Sequence, residues 1–260
     1  IVATHIYQFK IPMVPFTIAT GTMHYAQNIL IKVVTDEGII GYGECSAFPM
    51  IVGETQQSCY LLAKDFAAFW KGKNPLAITE RLSELDLIIA GNYTAKSAFD
   101  MALYDIAAKA ANQPLYAFLG GSQKPIESDL TIGIDSPQKM AAQAIDFVAK
   151  GVRIIKVKLG KHPIEDVERI KAIRTAIGDK IILRIDANQG WSSDDALGVL
   201  TNLSKYTIEF CEQPMHKYQD DFLPALCKSS PIKIMADESV FTHHDARKLI
   251  AQKACDSINI

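Results

Sequence analysis

The chain has 260 residues, of which 48% are apolar and 22% are charged, and its formal net charge is −2. This composition is typical of a globular protein with room for one large domain, or for a barrel with an accessory domain. The absence of a basic stripe and of any apolar run long enough to cross a bilayer argues against nucleic-acid and membrane partners. The five cysteines form no CxxC pair, which favours free thiols in a reducing, cytoplasmic location.

Residues 1–115 are predicted to form an α+β accessory domain. The hydrophobic pattern indicates strands at 2–9, 28–34 and 39–42 and helices at 54–70, 75–89 and 94–111. Two connections, residues 14–25 and 43–53, are longer than the strands require, and we expect both to be loops. They are candidates to cover an active site, although ordinary surface loops explain their length equally well.

From residue 129 the pattern changes to strands that alternate with helices. Strands are predicted at 129–134, 153–159, 181–185, 208–211, 231–235 and 257–260, with a helix after each of the first five. This alternation predicts a parallel α/β sheet, and the lack of a G-x-G-x-x-G or P-loop motif favours a TIM-type (β/α)-barrel over a nucleotide-binding sheet. Because five full units do not close a barrel, we expect residues 116–260 to form the first part of one that continues beyond Ile260.

Two lysines interrupt the apolar run at 153–159. Lys156 and Lys158 are two residues apart, so they face the same side of a strand. Buried ammonium groups are costly unless carboxylates oppose them. Asp186, Glu212 and Asp237 end the three following strands, at steps of 28, 26 and 25 residues counted from Lys158. Since the site of such a barrel lies at the carboxyl ends of its strands, we expect these five side chains to converge.

Three carboxylates at strand ends, with no histidine or cysteine at the corresponding positions, suit Mg²⁺, although one acidic residue at a strand end is commonly only a helix cap. A lysine near a cation and a second ammonium group is expected to have a lowered pKa and to act as a general base. The cation would stabilise the negative charge that forms when a carbon next to a carboxylate loses its proton. The pattern predicts this proton abstraction; a Schiff-base lyase is the alternative that the three carboxylates argue against.

Four motifs in order resemble the enolase superfamily, muconate-lactonizing-enzyme subgroup: Lys156-Val157-Lys158, RIDANQGW at 184–191, EFCEQP at 209–214 and MADES at 235–239. GYGECS at 41–46 and QPLYAFLGG at 113–121 resemble the capping domain of that family. Within the subgroup, the segment 131–144 is most similar to the dipeptide epimerases. The resemblance therefore covers essentially the whole chain.

The resemblance implies an isomerase that epimerises dipeptides with one Mg²⁺ per subunit and forms a homo-oligomer. Its roles fall on these positions: Lys158 as acid/base, Lys156 as its electrostatic partner beside the substrate carboxylate, Asp186, Glu212 and Asp237 as metal ligands, and Thr131 beside the substrate. Asn188 and Glu238, which adjoin the ligands, are either supporting partners of the metal site or simple caps. A second acid/base lysine is expected beyond Ile260.

One departure from the family bears on specificity. Epimerases of alanyl-glutamate carry an arginine in the first capping loop, and the matching position here is Gly21. Without a guanidinium to pair it, a substrate side-chain carboxylate would be poorly held, so a small or apolar dipeptide is expected unless Lys10, Lys32 or His24 takes the place of the arginine. The alternatives within the subgroup are N-acylamino-acid racemase, o-succinylbenzoate synthase and muconate cycloisomerase. A catalytically silent homologue that binds only metal or ligand is the non-enzyme alternative.

Overall fold

A computed structural model describes residues 1–260, which divide into two compact units. The first unit comprises Ile1–Val14 and His24–Ile126, and the second comprises Pro15–Met23 and Glu127–Ile260. None of the helices is both long and apolar enough to span a membrane. The assignment of capping and catalytic roles to residues 1–115 and 116–260 stays a prediction.

The first unit combines a small sheet with five helices. Its elements are β1 (Ala3–Ile18), β2 (Gly21–Val34), β3 (Ile40–Ala47), α1 (Pro49–Val52), α2 (Gln56–Trp70), α3 (Ile78–Ile88), α4 (Tyr93–Ala110) and α5 (Leu115–Phe118). The strands lie in the order β1-β2-β3, with β2 and β3 antiparallel. One face of the sheet and the apolar faces of α2 and α4 enclose a core around Phe66, Trp70 and Phe99.

Residues 14–25, predicted as a loop, are extended, so that prediction is wrong. Strand β1 continues to Ile18 and β2 begins at Gly21, which leaves only a two-residue turn between them. The segment is rich in β-branched residues, which favour extended backbone. The hydroxyls of Thr17 and Thr22 also lie 2.9 Å apart across the hairpin. A long hairpin therefore replaces the expected loop.

The second predicted loop, residues 43–53, is also mostly regular structure. Strand β3 continues to Ala47, and α1 occupies most of what remains. Buried and exposed residues alternate along β3, so one face of the strand packs on the core, and this packing extends the strand into the segment. Gly53 ends α1 in the left-handed conformation, with φ of 76°.

Gly43 allows β3 to lie directly against α4. A Cβ atom at Gly43 would stand 1.7 Å from the carbonyl oxygen of Ala98, so alanine does not fit without a shift of backbone. We expect Gly43→Ala to destabilise the protein by about 1–3 kcal/mol or more, measured as a lower midpoint of denaturant unfolding. Gly198→Ala is the matched control, since a Cβ there has no heavy atom within 4 Å. The control should gain about 0.5–1 kcal/mol from helix propensity, and equal effects of the two would contradict this packing.

The second unit is built on a sheet of six parallel strands, and their order in the sheet is the same as their order in the sequence. Its elements are β4 (Leu130–Ile132), α6 (Pro137–Ala149), β5 (Ile154–Lys158), α7 (Pro163–Ile177), β6 (Ile182–Asp186), α8 (Ser193–Leu203), β7 (Ile208–Glu212), α9 (Leu223–Ser229), β8 (Lys233–Ala236), α10 (His243–Gln252) and β9 (Ser257–Ile258), with 3₁₀ turns at Ser204–Tyr206 and Lys217–Phe222. The strand order is β4-β5-β6-β7-β8-β9. Consecutive order and parallel pairing confirm the predicted barrel-type fold.

The tip of the β1–β2 hairpin belongs to the second unit. There the backbone N–H of Ile134 donates to the carbonyl oxygen of Thr17 at 2.8 Å. A Cβ atom added to Gly160 would stand 3.0 Å from the Cβ of Ala19. The hairpin tip, residues 15–23, therefore packs beside the chain segments that follow β4 and β5.

Candidate active site

The register of the parallel strands places the predicted site residues side by side. Lys158 pairs with Asp186 across β5 and β6, and Asp186 pairs with Glu212 across β6 and β7. Asp237 directly follows β8, and Thr131 on β4 pairs with the residue two before Lys158. All of these residues lie toward the carboxyl ends of consecutive strands, where side chains of a barrel meet at one rim.

The two lysines face two of the carboxylates at ion-pair distance. The Nζ of Lys156 lies 2.9 Å from Asp186 Oδ2 and 2.7 Å from Glu212 Oε2. The Nζ of Lys158 lies 2.6 Å from Asp186 Oδ2. Asp186 is fully buried, whereas the lysine side chains retain 16% and 12% of their exposure. This mutual pairing makes a buried cluster of charge tolerable.

The pKa of Lys156 is governed by the two carboxylates that face it. Burial disfavours its ammonium form, but the attraction of the Asp186 and Glu212 carboxylates outweighs burial and raises the pKa of Lys156. The lowered pKa expected from the sequence belongs to a base lysine beside a bound cation, whereas the charges nearest Lys156 here are the two carboxylates. Lys156 is suited to remain a fixed positive charge.

The carboxylates differ from one another in their surroundings. Burial alone would raise the pKa of Asp186, but Lys158 and Lys156 lower it below its usual value. Burial and the charge of Asp186 raise the pKa of Glu212 to about 7, against the attraction of Lys156. Burial and the neighbouring Glu238 likewise raise the pKa of Asp237. The cluster thus places three carboxyl groups, with Glu238 beside them, around two lysines.

Asn188 and Glu238 lie directly behind the carboxylates. The backbone N–H of Asn188 donates to Asp186 Oδ1 at 2.8 Å, and its side-chain Nδ2 donates to Glu238 Oε1 at 3.2 Å. Both side chains are buried, yet Asn188 Oδ1 and Glu238 Oε2 accept no hydrogen bond. Buried acceptors without donors are costly, and they point to a site that takes a cation with its bound water.

The chemistry of this donor set fits Mg²⁺. Asp186, Glu212 and Asp237 supply hard oxygen donors, which this ion prefers. The carboxylates do not converge at coordination spacing in this structure, because the Lys156 ammonium lies between two of them. A cation would therefore compete with this ammonium for the same oxygens.

Gln213 organises the segment that carries Asp237, and sequence reasoning missed it. Its Oε1 accepts from the backbone N–H groups of Asp237 and Ser239, at 2.9 and 3.2 Å. Its Nε2 donates to the carbonyl oxygen of Met215 and to the Ser239 hydroxyl. The residue is 1% exposed, and its backbone has a φ of 35°, so packing holds a strained position. The only signal in the sequence was its place directly after Glu212.

We expect Gln213→Leu to weaken Mg²⁺ binding by about 10–100-fold, the usual cost of removing a group that orients metal ligands. The leucine leaves the N–H groups of Asp237 and Ser239 without an acceptor, so the position of the Asp237 carboxylate is no longer fixed. Titration calorimetry measures the effect. Gln57→Leu, on the exposed face of α2, is the control. Wild-type affinity in Gln213→Leu would contradict the role.

Asn259, just after β9, is a second residue that the sequence did not single out. Its Nδ2 donates to Glu212 Oε1 at 3.1 Å, on the carboxylate whose other oxygen faces Lys156. Gly21 opens β2 within the hairpin tip that packs beside β4 and β5. The structure thus brings Thr131 and the five charged residues to one rim and places Gly21 in the tip beside it.

Comparison with known proteins identifies the class. The family described as mandelate racemase / muconate lactonizing enzyme, N-terminal domain, matches residues 1–120, and the family described as enolase C-terminal domain-like matches residues 139–260. The chain therefore belongs to the enolase superfamily, muconate-lactonizing-enzyme subgroup, and this confirms the resemblance seen in the sequence.

Within that class the similar proteins include dipeptide epimerases. The D-Ala-D/L-Ala epimerase of Cytophaga hutchinsonii is 44% identical over 100% of this chain and 72% of its own length. The crystal structure of the Cytophaga hutchinsonii dipeptide epimerase, complexed with Mg and D-Ala-L-Val, matches 99% of this chain and 71% of that one with a TM-score of 0.98.

Two further relatives differ in their substrates. The hydrophobic dipeptide epimerase of Enterococcus faecalis is 38% identical over 94% of this chain and 69% of its own length. The N-succinyl-L-Arg/Lys racemase of Bacillus cereus is 35% identical over 100% of this chain and 72% of its own length. The relatives thus share epimerase or racemase chemistry at amino-acid derivatives.

Proposed function

We propose that this chain is an Mg²⁺-dependent dipeptide epimerase that removes and returns the α proton of the C-terminal residue of a small or apolar dipeptide. The observation that carries the proposal is the rim where Lys156 and Lys158 face the carboxylates of Asp186 and Glu212. The names of the Cytophaga hutchinsonii and Enterococcus faecalis relatives support the same substrate class.

Lys158 is the proposed acid/base group. Its Nζ lies at the rim, where it can take the α proton once it has released its own and can later return one. Lys156, with its raised pKa, stays charged and attracts the substrate carboxylate. Bound at Asp186, Glu212 and Asp237, Mg²⁺ would stabilise the negative charge that develops on this carboxylate. Inversion at the carbon also requires a second acid/base group on the opposite face.

The preference for small or apolar dipeptides rests on the hairpin tip. Gly21 supplies no guanidinium at the position where alanyl-glutamate epimerases carry arginine, so a substrate side-chain carboxylate loses that partner. The relatives named for D-Ala-D/L-Ala and for hydrophobic dipeptides support this preference.

Solvent exchange in D₂O tests the proposal directly. The full-length protein with Mg²⁺ is incubated with a panel of L,L-dipeptides, and deuterium is located by NMR. We expect deuterium at the Cα of the C-terminal residue, faster for alanyl-alanine and apolar dipeptides than for alanyl-glutamate, and none after EDTA treatment. Alanyl-glutamate as the best substrate would contradict the specificity, and no exchange on any dipeptide would contradict the function.

Racemisation of N-acylamino acids is the second candidate, favoured by the similarity to the Bacillus cereus racemase. The same exchange assay with N-succinyl amino acids decides between the two. Exchange on those compounds alone would support proton abstraction by Lys158 but replace dipeptides with N-acylamino acids as the substrate class. No exchange on any compound would favour a catalytically silent homologue.

We also propose that the protein acts on free small molecules in the cytoplasm, as a homo-oligomer, with no role in nucleic-acid or membrane binding. The five free cysteines and the low net charge support the location and the lack of such partners, and the family resemblance supports the oligomer. Light scattering and cell fractionation test these points.

A further inference from the structure

A buried ion pair lies in the first two turns of α7, outside the cluster of charges described above. Asp166 is fully buried and Arg169 is 5% exposed. Arg169 Nη1 donates to Asp166 Oδ1 at 2.8 Å. A buried ion pair contributes little net stability compared with apolar side chains of the same volume, so its place in the fold calls for another explanation.

The second oxygen of Asp166 joins the segments that follow β5 and β6. Asp166 Oδ2 accepts from the backbone N–H of Gly160 at 2.8 Å and from the indole N–H of Trp191 at 2.9 Å. Gly160 follows Lys158 by two residues, and Trp191 ends the RIDANQGW segment that begins in β6. One carboxylate oxygen thus ties the chain behind the proposed base to the chain behind the proposed metal ligand Asp186.

Arg169 extends the connection to a third strand. Its Nε donates to the carbonyl oxygen of Asp135 at 2.9 Å, in the segment between β4 and α6. Strand β4 carries Thr131, so the pair reaches the segments after all three strands that bear Thr131, Lys158 and Asp186. Both side chains make the connection from a single helix.

The segments that follow β5 and β6 are in close backbone contact. A Cβ atom at Gly160 would stand 2.1 Å from the carbonyl oxygen of Ala187, and one at Gly190 would stand 2.1 Å from the carbonyl oxygen of Gly160. Gly160 also has a φ of 102°, which side chains rarely adopt. Because the two segments touch backbone to backbone, movement of one displaces the other.

We propose that the Asp166–Arg169 pair, through Gly160 and Trp191, positions Lys158 and Asp186 for proton transfer. The inference rests on the proposed function. Asp166 and Arg169 touch no reacting atom and are positioning residues; their effect passes through the backbone of the two segments. A displacement of about 1 Å at a reacting group can cost about a hundredfold in rate. Small shifts of the Asp166–Arg169 pair are therefore expected to change the reaction rate strongly.

Trp191→Phe is the sharpest test, because it keeps an aromatic ring and removes the N–H that reaches Asp166, and the control below loses the same ring volume. Trp70→Phe is its matched control: Trp70 is equally buried in the first unit, and its indole N–H has no partner. We expect Trp191→Phe to lower kcat for dipeptide exchange by about 10–100-fold with KM unchanged, and to weaken Mg²⁺ binding in calorimetry by about tenfold. Trp70→Phe should change neither.

Hydrogen–deuterium exchange gives a readout that needs neither substrate nor metal. Trp191→Phe and Asp166→Asn should speed amide exchange at 159–161 and 187–191, while Arg169→Lys should speed it after β4. Thermal unfolding of both tryptophan variants measures the general cost of the substitution. The inference would be overturned if Trp191→Phe matched the wild type in amide exchange, Mg²⁺ affinity and kcat. It would also be overturned if Trp70→Phe lost as much in these measurements as Trp191→Phe. If the wild-type protein were inactive on every dipeptide, the proposed function would be contradicted instead. The comparison of amide exchange between the variants would still test the role of the Asp166–Arg169 pair.

Discussion

Lys158→Ala is expected to slow deuterium incorporation into dipeptides by about 10²–10⁴-fold, the usual contribution of a positioned general base. The fold should survive, because Asp186 and Glu212 both keep Lys156 as an ion-pair partner. Exchange rates by NMR measure the loss, and thermal unfolding checks the fold.

Two further variants distinguish a role of Lys158 in proton transfer from a role as a fixed positive charge. Lys158→Arg keeps the positive charge beside Asp186 but cannot lose its proton near neutral pH, so it should be as inactive as Lys158→Ala. Lys171→Ala, on the exposed face of α7, should retain the wild-type rate. Activity in Lys158→Arg close to that of the wild type would show that Lys158 serves only as a charge.

Asp186→Asn is expected to abolish Mg²⁺ binding and activity and to lower the free energy of unfolding by about 3–5 kcal/mol. Asp186 is fully buried and pairs with both lysines, so the substitution leaves the Lys158 ammonium without its carboxylate. Calorimetry measures the Mg²⁺ affinity, and denaturant unfolding measures the stability.

The control for Asp186→Asn is Asp146→Asn on α6, which breaks an exposed pair with Lys150, the residue after the helix, and should cost no more than about 0.5 kcal/mol. EDTA treatment of the wild type separates metal from charge, since it should stop exchange while both lysines keep their carboxylate partner. Unchanged Mg²⁺ affinity in Asp186→Asn would remove this residue from the metal site.

The rim of the barrel was predictable from the sequence because it depends on local repetition. Each strand–helix unit has a similar length, so the residue that ends one strand falls beside the residue that ends the next. Lys158, Asp186 and Glu212 could therefore be placed side by side, and their register bears this out. The helix predicted after the strand at 153–159 is also observed, as α7, which Pro163 opens and Gly178 follows.

The features that the sequence did not predict depend on contacts between distant segments. The segment at 14–25 forms a hairpin because its two halves pair with each other, and the residues of one half alone do not specify that pairing. The amide of Gln213 and the carboxylate of Asp166 were missed because each acts on backbone groups of other segments. The raised pKa of Lys156 likewise depends on two carboxylates brought from β6 and β7.

The hairpin tip has a consequence for how this protein reaches its native state. Residues 15–23 leave the ribosome early, but Ile134 and Gly160, their partners in the second unit, follow more than a hundred residues later. Contacts so far apart in the chain close slowly, because the loop between them loses much of its freedom. A fragment that starts at Glu127 would lack the acceptor for the Ile134 N–H. The segments that follow β4 and β5 therefore gain these contacts only when they pack against a hairpin made more than a hundred residues earlier.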